Sequence, residues 1–171
     1  MIIRQAVLAD LVPLMQTIRE VVAAMQACGN TQWDDTYPNT EVFTQDIAQN
    51  YLWIADVDGA IGGVLAITDQ KEPEYAQIPE WNTPEPAIVL HRLAVNPNYQ
   101  GMGIAAALLQ QAEAEAAKHQ IQRIFLDTNS VNRAMQNLSM KLGYHLAGEI
   151  TLAFRPGLRF MCYEKRLAGL V

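Results

Sequence analysis

The sequence predicts an α/β protein with a mixed, mostly antiparallel sheet of about seven strands and helices on both faces. Three observations predict it. Short β-rich runs alternate along the chain with stretches whose apolar residues recur at helical spacing. A strand, helix, strand unit in the middle implies a parallel pair with a right-handed crossover. Tight-turn signals, Asp58-Gly59 foremost, imply antiparallel hairpins elsewhere.

The elements follow in order. Ile2 to Ala6 reads as a first strand, and Ala9-Asp10 opens a helix. Leu11, Leu14, Met15, Ile18, Val21, Val22 and Met25 share one face of that helix, and Gly29 stands where a C-terminal cap belongs. Pro38 marks a polar loop. Thr40 is expected to cap a second short helix through Asn50, with Val42, Phe43, Ile47 and Ala48 inward. Strands are expected at Tyr51–Val57 and Ala60–Thr68, joined by Asp58-Gly59. Residues 69–86 carry four prolines and five acids against the single Lys71, and read as a long functional loop or as disorder. Ala87–Val95 is a strand, and a helix runs from about Gly103 to His119. A strand at Arg123–Asp127, a helix at Arg133–Leu142 closed by Gly143, and strands at Tyr144–Ile150 and Phe160–Leu167 complete the chain.

Composition bounds the function. A chain of 171 residues, half of them hydrophobic and 18% charged, buries a core without staples. A net charge of −6 and the lack of a clustered basic face argue against a nucleic-acid partner. Cys28 and Cys162 have no metal-ligand spacing and read as buried, reduced thiols, so no metal is expected. The N-terminus lacks a signal-peptide pattern and no apolar run spans a bilayer, so a cytoplasmic protein without a membrane partner is expected.

The chemistry concentrates in Leu93-Ala94-Val95-Asn96-Pro97-Asn98-Tyr99-Gln100-Gly101-Met102-Gly103-Ile104-Ala105. It reads strand, break, two glycines, helix. Glycines let the backbone turn tightly and approach a ligand, and the helix start offers unpaired N–H groups and a positive dipole end. Together these suit a phosphate. No Lys follows the glycines, against a Walker loop, and the partial dinucleotide fingerprint sits past mid-chain. A glycine-rich turn without a ligand is the competing reading.

Two motifs narrow the choice. Gln100, Gly103 and Ala105 follow Leu93-Ala94-Val95-Asn96-Pro97, and Asn132, Ala134, Lys141, Gly143 and Tyr144 lie downstream. In these the sequence resembles the GNAT superfamily of acetyl-CoA-dependent N-acetyltransferases, over essentially the whole chain. The resemblance implies a single domain across residues 1–171 with a central parallel pair that splays. The segment Trp33-Asp34-x-x-Tyr37-Pro38 resembles a bacterial subgroup of the family. The resemblance implies that the N–H groups of Gln100, Gly101, Met102, Gly103, Ile104 and Ala105 hold the CoA pyrophosphate. It implies that the backbone of Leu93, Ala94 and Val95 pairs with the pantetheine arm, and that Asn132 contacts the cofactor. Asn132 reads equally as a helix cap. Many members carry a thiolate-protonating Tyr where this chain has Ser139, so Ser139 acts through water or Tyr144 or Tyr163 replaces it.

The remaining candidates belong to the acceptor. His91 precedes the cofactor segment, and alternation groups it with Val89, Leu93 and Val95. It reads as a general base or as a structural strand histidine. Trp33, Asp34 and Tyr37 offer aromatic faces and a carboxylate suited to an ammonium, or a core plug with a turn residue. Glu80 adds an acid from the long loop. The expected reaction is acetyl transfer from acetyl-CoA to a primary amine by direct attack, with a small cationic acceptor favoured and a homodimer expected from the family. A protein N-acetyltransferase, a CoA-binding regulatory domain without turnover and a Rossmann-type nucleotide module are the alternatives.

Overall fold

The computed structural model describes residues 1–169. Seven strands form one sheet in the order β1-β2-β3-β4-β5-β7-β6. They are β1 (Ile2–Gln5), β2 (Leu52–Val57), β3 (Ala60–Thr68), β4 (Ala87–Val95), β5 (Arg123–Asn129), β6 (His145–Ile150) and β7 (Phe160–Arg166). Four α-helices accompany them among the described residues: α1 (Leu11–Ala27), α2 (Thr40–Ala48), α3 (Ile104–Lys118) and α4 (Arg133–Lys141). The β4–β5 pair is parallel, and β1–β2, β2–β3, β5–β7 and β6–β7 are antiparallel. The expected fold class is thus observed. No helix among the described residues is long and apolar enough to cross a membrane.

The chain divides into two compact units. The first comprises Met1–Ile67 with His91–Gln111. Its hairpin turn places Asp58 and Gly59 at φ 54° and 89°, the left-handed pair that Asp-Gly favours between twisted strands. The apolar stripe of α1, Leu14, Ile18, Val21 and Val22, packs with Phe43 of α2 and with Leu52, Ile54 and Val64 of the sheet. Ala48, expected inward, is exposed, and the inward position on α2 belongs to Asp46. Asn39, not Thr40, caps α2, because its side-chain oxygen accepts from Val42 N at 3.0 Å. Asp10 closes a short 3₁₀ turn at Leu8–Asp10 ahead of α1, accepting from Val7 N and from Arg4. Gly29 follows α1 at φ 78°, as its position predicted. Cys28 is exposed, contrary to the reading of both thiols as buried.

The second unit comprises Thr68–Leu90 and the chain from Ala112 onward. Here residues 69–86 are neither disordered nor a plain loop. They form 3₁₀ turns at Pro73–Gln77 and Pro79–Trp81, each opened by its proline. Tyr75, Ile78 and Trp81 point into a core with Phe125, Phe160 and Ile150. Trp81 stacks on Phe125 with ring centroids 4.0 Å apart, and Tyr75 meets Trp81 edge-on at 4.9 Å. The sequence hid this because apolar residues spaced by prolines carry neither a helical nor a strand period.

Arg123 ties the segment down. Its Nε donates to Glu164 Oε1 at 2.8 Å and its Nη2 to Glu164 Oε2 at 3.1 Å and to Glu80 O at 2.9 Å. Its Nη1 donates to Thr83 Oγ1 and to Glu85 Oε2. Trp81 Nε1 donates to Glu164 Oε2 at 3.0 Å. Burial pushes the Glu164 carboxyl up, but Arg123 and the Trp81 hydrogen bond outweigh it and hold it below its usual value.

Both partners are nearly inaccessible to water, at 2% and 5% side-chain exposure. Removing one therefore leaves the other as an unpaired buried charge. Arg123→Leu is expected to cost about 3–5 kcal/mol in urea unfolding, and Arg123→Leu with Glu164→Leu markedly less than the two single losses summed. Strict additivity would show that the pair is not what holds residues 69–86.

Candidate functional site

The glycine turn lies in the first unit. Asn96 Oδ1 accepts from Asn98 N at 2.9 Å and opens a 3₁₀ turn at Pro97–Tyr99. Asn96 N donates to Gly62 O of β3 at 2.9 Å, fixing where the turn leaves the sheet. Gly101 and Gly103 follow at φ 81° and 76°, in the left-handed region where a side chain is strained. Nothing lies within 4 Å of where a Cβ on either would stand, so the turn faces open space. Gln100, Gly101, Met102 and Gly103 are exposed, while Ile104 is buried against Gly62 and Gly63 and seats the helix. The helical bond from Ala107 N to Gly103 O leaves the amides before Ala107 as the helix's orphan donors. No acid stands in the first turn of α3 to satisfy them. The turn therefore fits the pyrophosphate that the sequence motif implies.

Strand β4 approaches this turn with a break. Arg92 has φ 56°, which costs an ordinary L-residue about 1–2 kcal/mol. A left-handed residue interrupts the pleat, so the alternation that grouped His91 with Leu93 and Val95 does not run through Arg92. His91, Leu93 and Val95 are half-buried and Ala94 is buried. Arg92 Nε and Nη2 donate to the two oxygens of Asp46 at 2.7 and 2.8 Å, and Nη1 donates to Tyr37 Oη at 3.1 Å. Burial pushes Asp46 up in spite of this pairing.

The acceptor candidates of the first unit are bound into its frame. Trp33 is 4% exposed and belongs to the core of α1 and α2. Asp34 Oδ1 accepts from Thr36 N, Thr36 Oγ1 and Tyr37 N, an Asx turn that shapes the loop. Tyr37 meets Arg92 through its hydroxyl.

In the second unit Asn132 caps α4. Its Oδ1 accepts from Met135 N at 3.2 Å and its Nδ2 donates to Thr128 Oγ1 at 3.0 Å. Ser139 is buried and its hydroxyl donates to Met135 O at 2.9 Å, one turn back. Tyr163 Oη donates to Gln136 Oε1 at 3.4 Å. The Tyr144 hydroxyl is buried without a hydrogen-bond partner among the described residues, and burial, with Glu113 nearby, raises its pKa. Glu80 contributes its carbonyl to Arg123, and the residue is exposed.

Asp127 is the group that sequence reasoning passed over. It lies on β5, one residue past Leu126, the last rung of the parallel ladder with β4. It accepts from Tyr75 Oη at 2.6 Å. Burial pushes its pKa up to about 6; Glu72 and Glu74 add to this and the Tyr75 hydrogen bond opposes it. The available signal was a lone carboxylate directly after the apolar run Ile124-Phe125-Leu126.

In this mixed sheet the turn after β4 joins two left-handed glycines to a helix start without acids, an arrangement suited to an anionic ligand. The sequence matches the Acetyltransferase (GNAT) family over residues 18–144, and the chain belongs to that family. It is similar to N-acetylaspartate synthetase of Xenopus tropicalis, with 27% identity over 127 residues covering 70% of this chain. The chain spans 42% of the length of that relative. A GNAT-family acetyltransferase structure from Streptococcus agalactiae superposes with TM-score 0.84 and 29% identity, covering 98% of this chain and 96% of that one. PaiA N-acetyltransferase of Thermoplasma acidophilum, solved in complex with coenzyme A, shares the fold at TM-score 0.72 and 19% identity, covering 97% and 98%.

A raised carboxyl pKa means the folded protein holds its proton more tightly than the unfolded chain. The stability that Asp127 contributes is full below about pH 4 and is lost as pH rises through about 6. Asp127→Asn keeps an acceptor for Tyr75 and cannot ionise. Its stability relative to the wild type is expected to climb between these pH values by on the order of 2–3 kcal/mol and then level off. Urea unfolding at several pH values measures it, and a pH-independent difference would contradict the assignment.

Proposed function

We propose that the enzyme transfers the acetyl group of acetyl-CoA to a primary amine by direct attack. The single observation that carries this reading is the left-handed Gly101 and Gly103 turn, open to solvent and leading into a helix start free of acids. The amides from Gln100 to Ala105 hold the pyrophosphate, and the backbone of Leu93, Ala94 and Val95 takes the pantetheine arm. The family match and the likeness to a structure holding coenzyme A support the donor.

The acceptor arrives as an ammonium ion and gives one proton to His91. Its nitrogen attacks the thioester carbonyl carbon, the C–S bond breaks, and the CoA thiolate leaves. As the C–S bond breaks, the nitrogen gives its second proton to water and the thiolate takes one proton from water, since the Ser139 hydroxyl already donates within α4. Trp33, Asp34 and Tyr37 frame the acceptor loop, and the net charge of −6 favours a small cationic amine. The likeness to a protein named for making N-acetylaspartate supports a second acceptor class, the α-amine of an acidic amino acid.

Acetyl-CoA is expected to raise the melting temperature, corresponding to about 2.7 kcal/mol at a concentration of 100 Kd, while NAD leaves it unchanged. Gly103→Val forces a β-branched residue to a φ near 76° and should abolish the acetyl-CoA shift with little loss of fold. A shift with NAD and none with acetyl-CoA would overturn the reading.

His91→Gln keeps polarity without a titrating group. It is expected to slow the chemical step by ~10²–10⁴-fold and to flatten the rising limb of the pH–rate profile, with acetyl-CoA affinity unchanged. The comparison uses amines of different pKa, because the amine's own ionisation gives a similar limb. A limb that follows the amine and persists at near-normal rate in His91→Gln removes the histidine from catalysis.

A further inference from the structure

Arg92 is both the left-handed residue of β4 and a heavily tied cation. Arginine has no preference for positive φ; Gly or Asn would take it more readily. Such a conformation persists where the surroundings over-determine it, and it clusters at functional sites. The surroundings here are specific. The planar guanidinium grips both oxygens of Asp46 on α2 at 2.7 and 2.8 Å and reaches Tyr37 Oη at 3.1 Å. The two charged side chains are 12% and 9% exposed. A bidentate fork fixes direction as well as distance, which a point charge such as Lys does not. The residues just beyond the break are tied to β3: Asn96 N donates to Gly62 O, and a Cβ on Gly63 would stand 2.9 Å from Ala94 O. The Arg92 anchor and the β3 contacts therefore bracket the backbone of Leu93–Val95 on both sides.

We propose that Arg92 is a positioning residue, and that its latch to Asp46 and Tyr37 sets the left-handed break in β4 that aims the backbone of Leu93–Val95 at the pantetheine arm. This rests on acetyl-CoA being the donor. The latch also joins the loop carrying Trp33, Asp34 and Tyr37 to the strand that presents the thioester, so that loop is held by the same guanidinium that orients the donor.

The test compares two ligands. Acetyl-CoA needs both the glycine turn and β4, whereas 3′-phospho-ADP, the nucleotide end of CoA without its pantetheine arm, needs only the turn. Calorimetry on the wild type comes first; a wild type that fails to bind acetyl-CoA overturns the donor reading and this inference with it. Given wild-type binding, Arg92→Lys is expected to weaken acetyl-CoA at least tenfold while 3′-phospho-ADP stays within twofold. In turnover, KM for acetyl-CoA should rise at least tenfold with kcat within threefold. Tyr37→Phe, which keeps the ion pair, should weaken acetyl-CoA two- to fivefold and carries the test if Arg92→Lys does not fold. Equal weakening of both ligands, or unchanged acetyl-CoA affinity and KM in folded variants, overturns the proposal.

Discussion

A guanidinium withdrawn from water must have its donors satisfied, and each compact unit of this protein is organised by meeting that demand. In the second unit Arg123 spends its donors on Glu164, Glu80, Thr83 and Glu85, and so gathers residues 69–86 onto β5 and β7. The aromatic layer of Tyr75, Trp81 and Phe125 packs beneath this network, with the Arg123 guanidinium 4.7 Å over the Phe125 ring. In the first unit Arg92 does the same for β4, α2 and the loop before it.

The same low-dielectric setting moves neighbouring carboxylates in opposite directions. Burial raises both Glu164 and Asp127. Glu164 is brought back below its usual value by Arg123 and Trp81. Asp127 has a tyrosine hydroxyl and two further acids as company, and burial prevails. A neutral hydrogen bond is a weaker counterweight than a guanidinium, which is why one carboxylate remains a fixed charge and the other titrates near neutrality.

The glycine turn works by a different principle. Its ligand-facing groups are backbone amides, so what the sequence must provide is freedom of φ and absence of competitors. Gly101 and Gly103 supply the first, and the unacidic first turn of α3 the second. The buried Ile104 gives the turn a rigid seat, so that its open side stays aligned with the helix start.

The sequence by itself determined whatever depends on local pattern. The element order, the Asp58-Gly59 hairpin, the helix-closing Gly29 and the glycine turn were legible because each rests on neighbours a few residues apart. Asn39 was missed as a cap because Thr40, beside it, caps equally well in principle. Tertiary structure decided the rest. Residues 69–86 became core only because Phe125 and Arg123 lie more than 35 residues away to receive Trp81 and Glu80. Arg92 read as an ordinary strand residue, because its left-handed φ follows from an Asp46 that the chain brings back from α2. Asp127 stood in the sequence only as the last residue of an expected strand, and Tyr75 and the burial around it set its charge. Conformational freedom is written residue by residue, whereas burial and charge pairing exist only between parts of the chain that folding brings together.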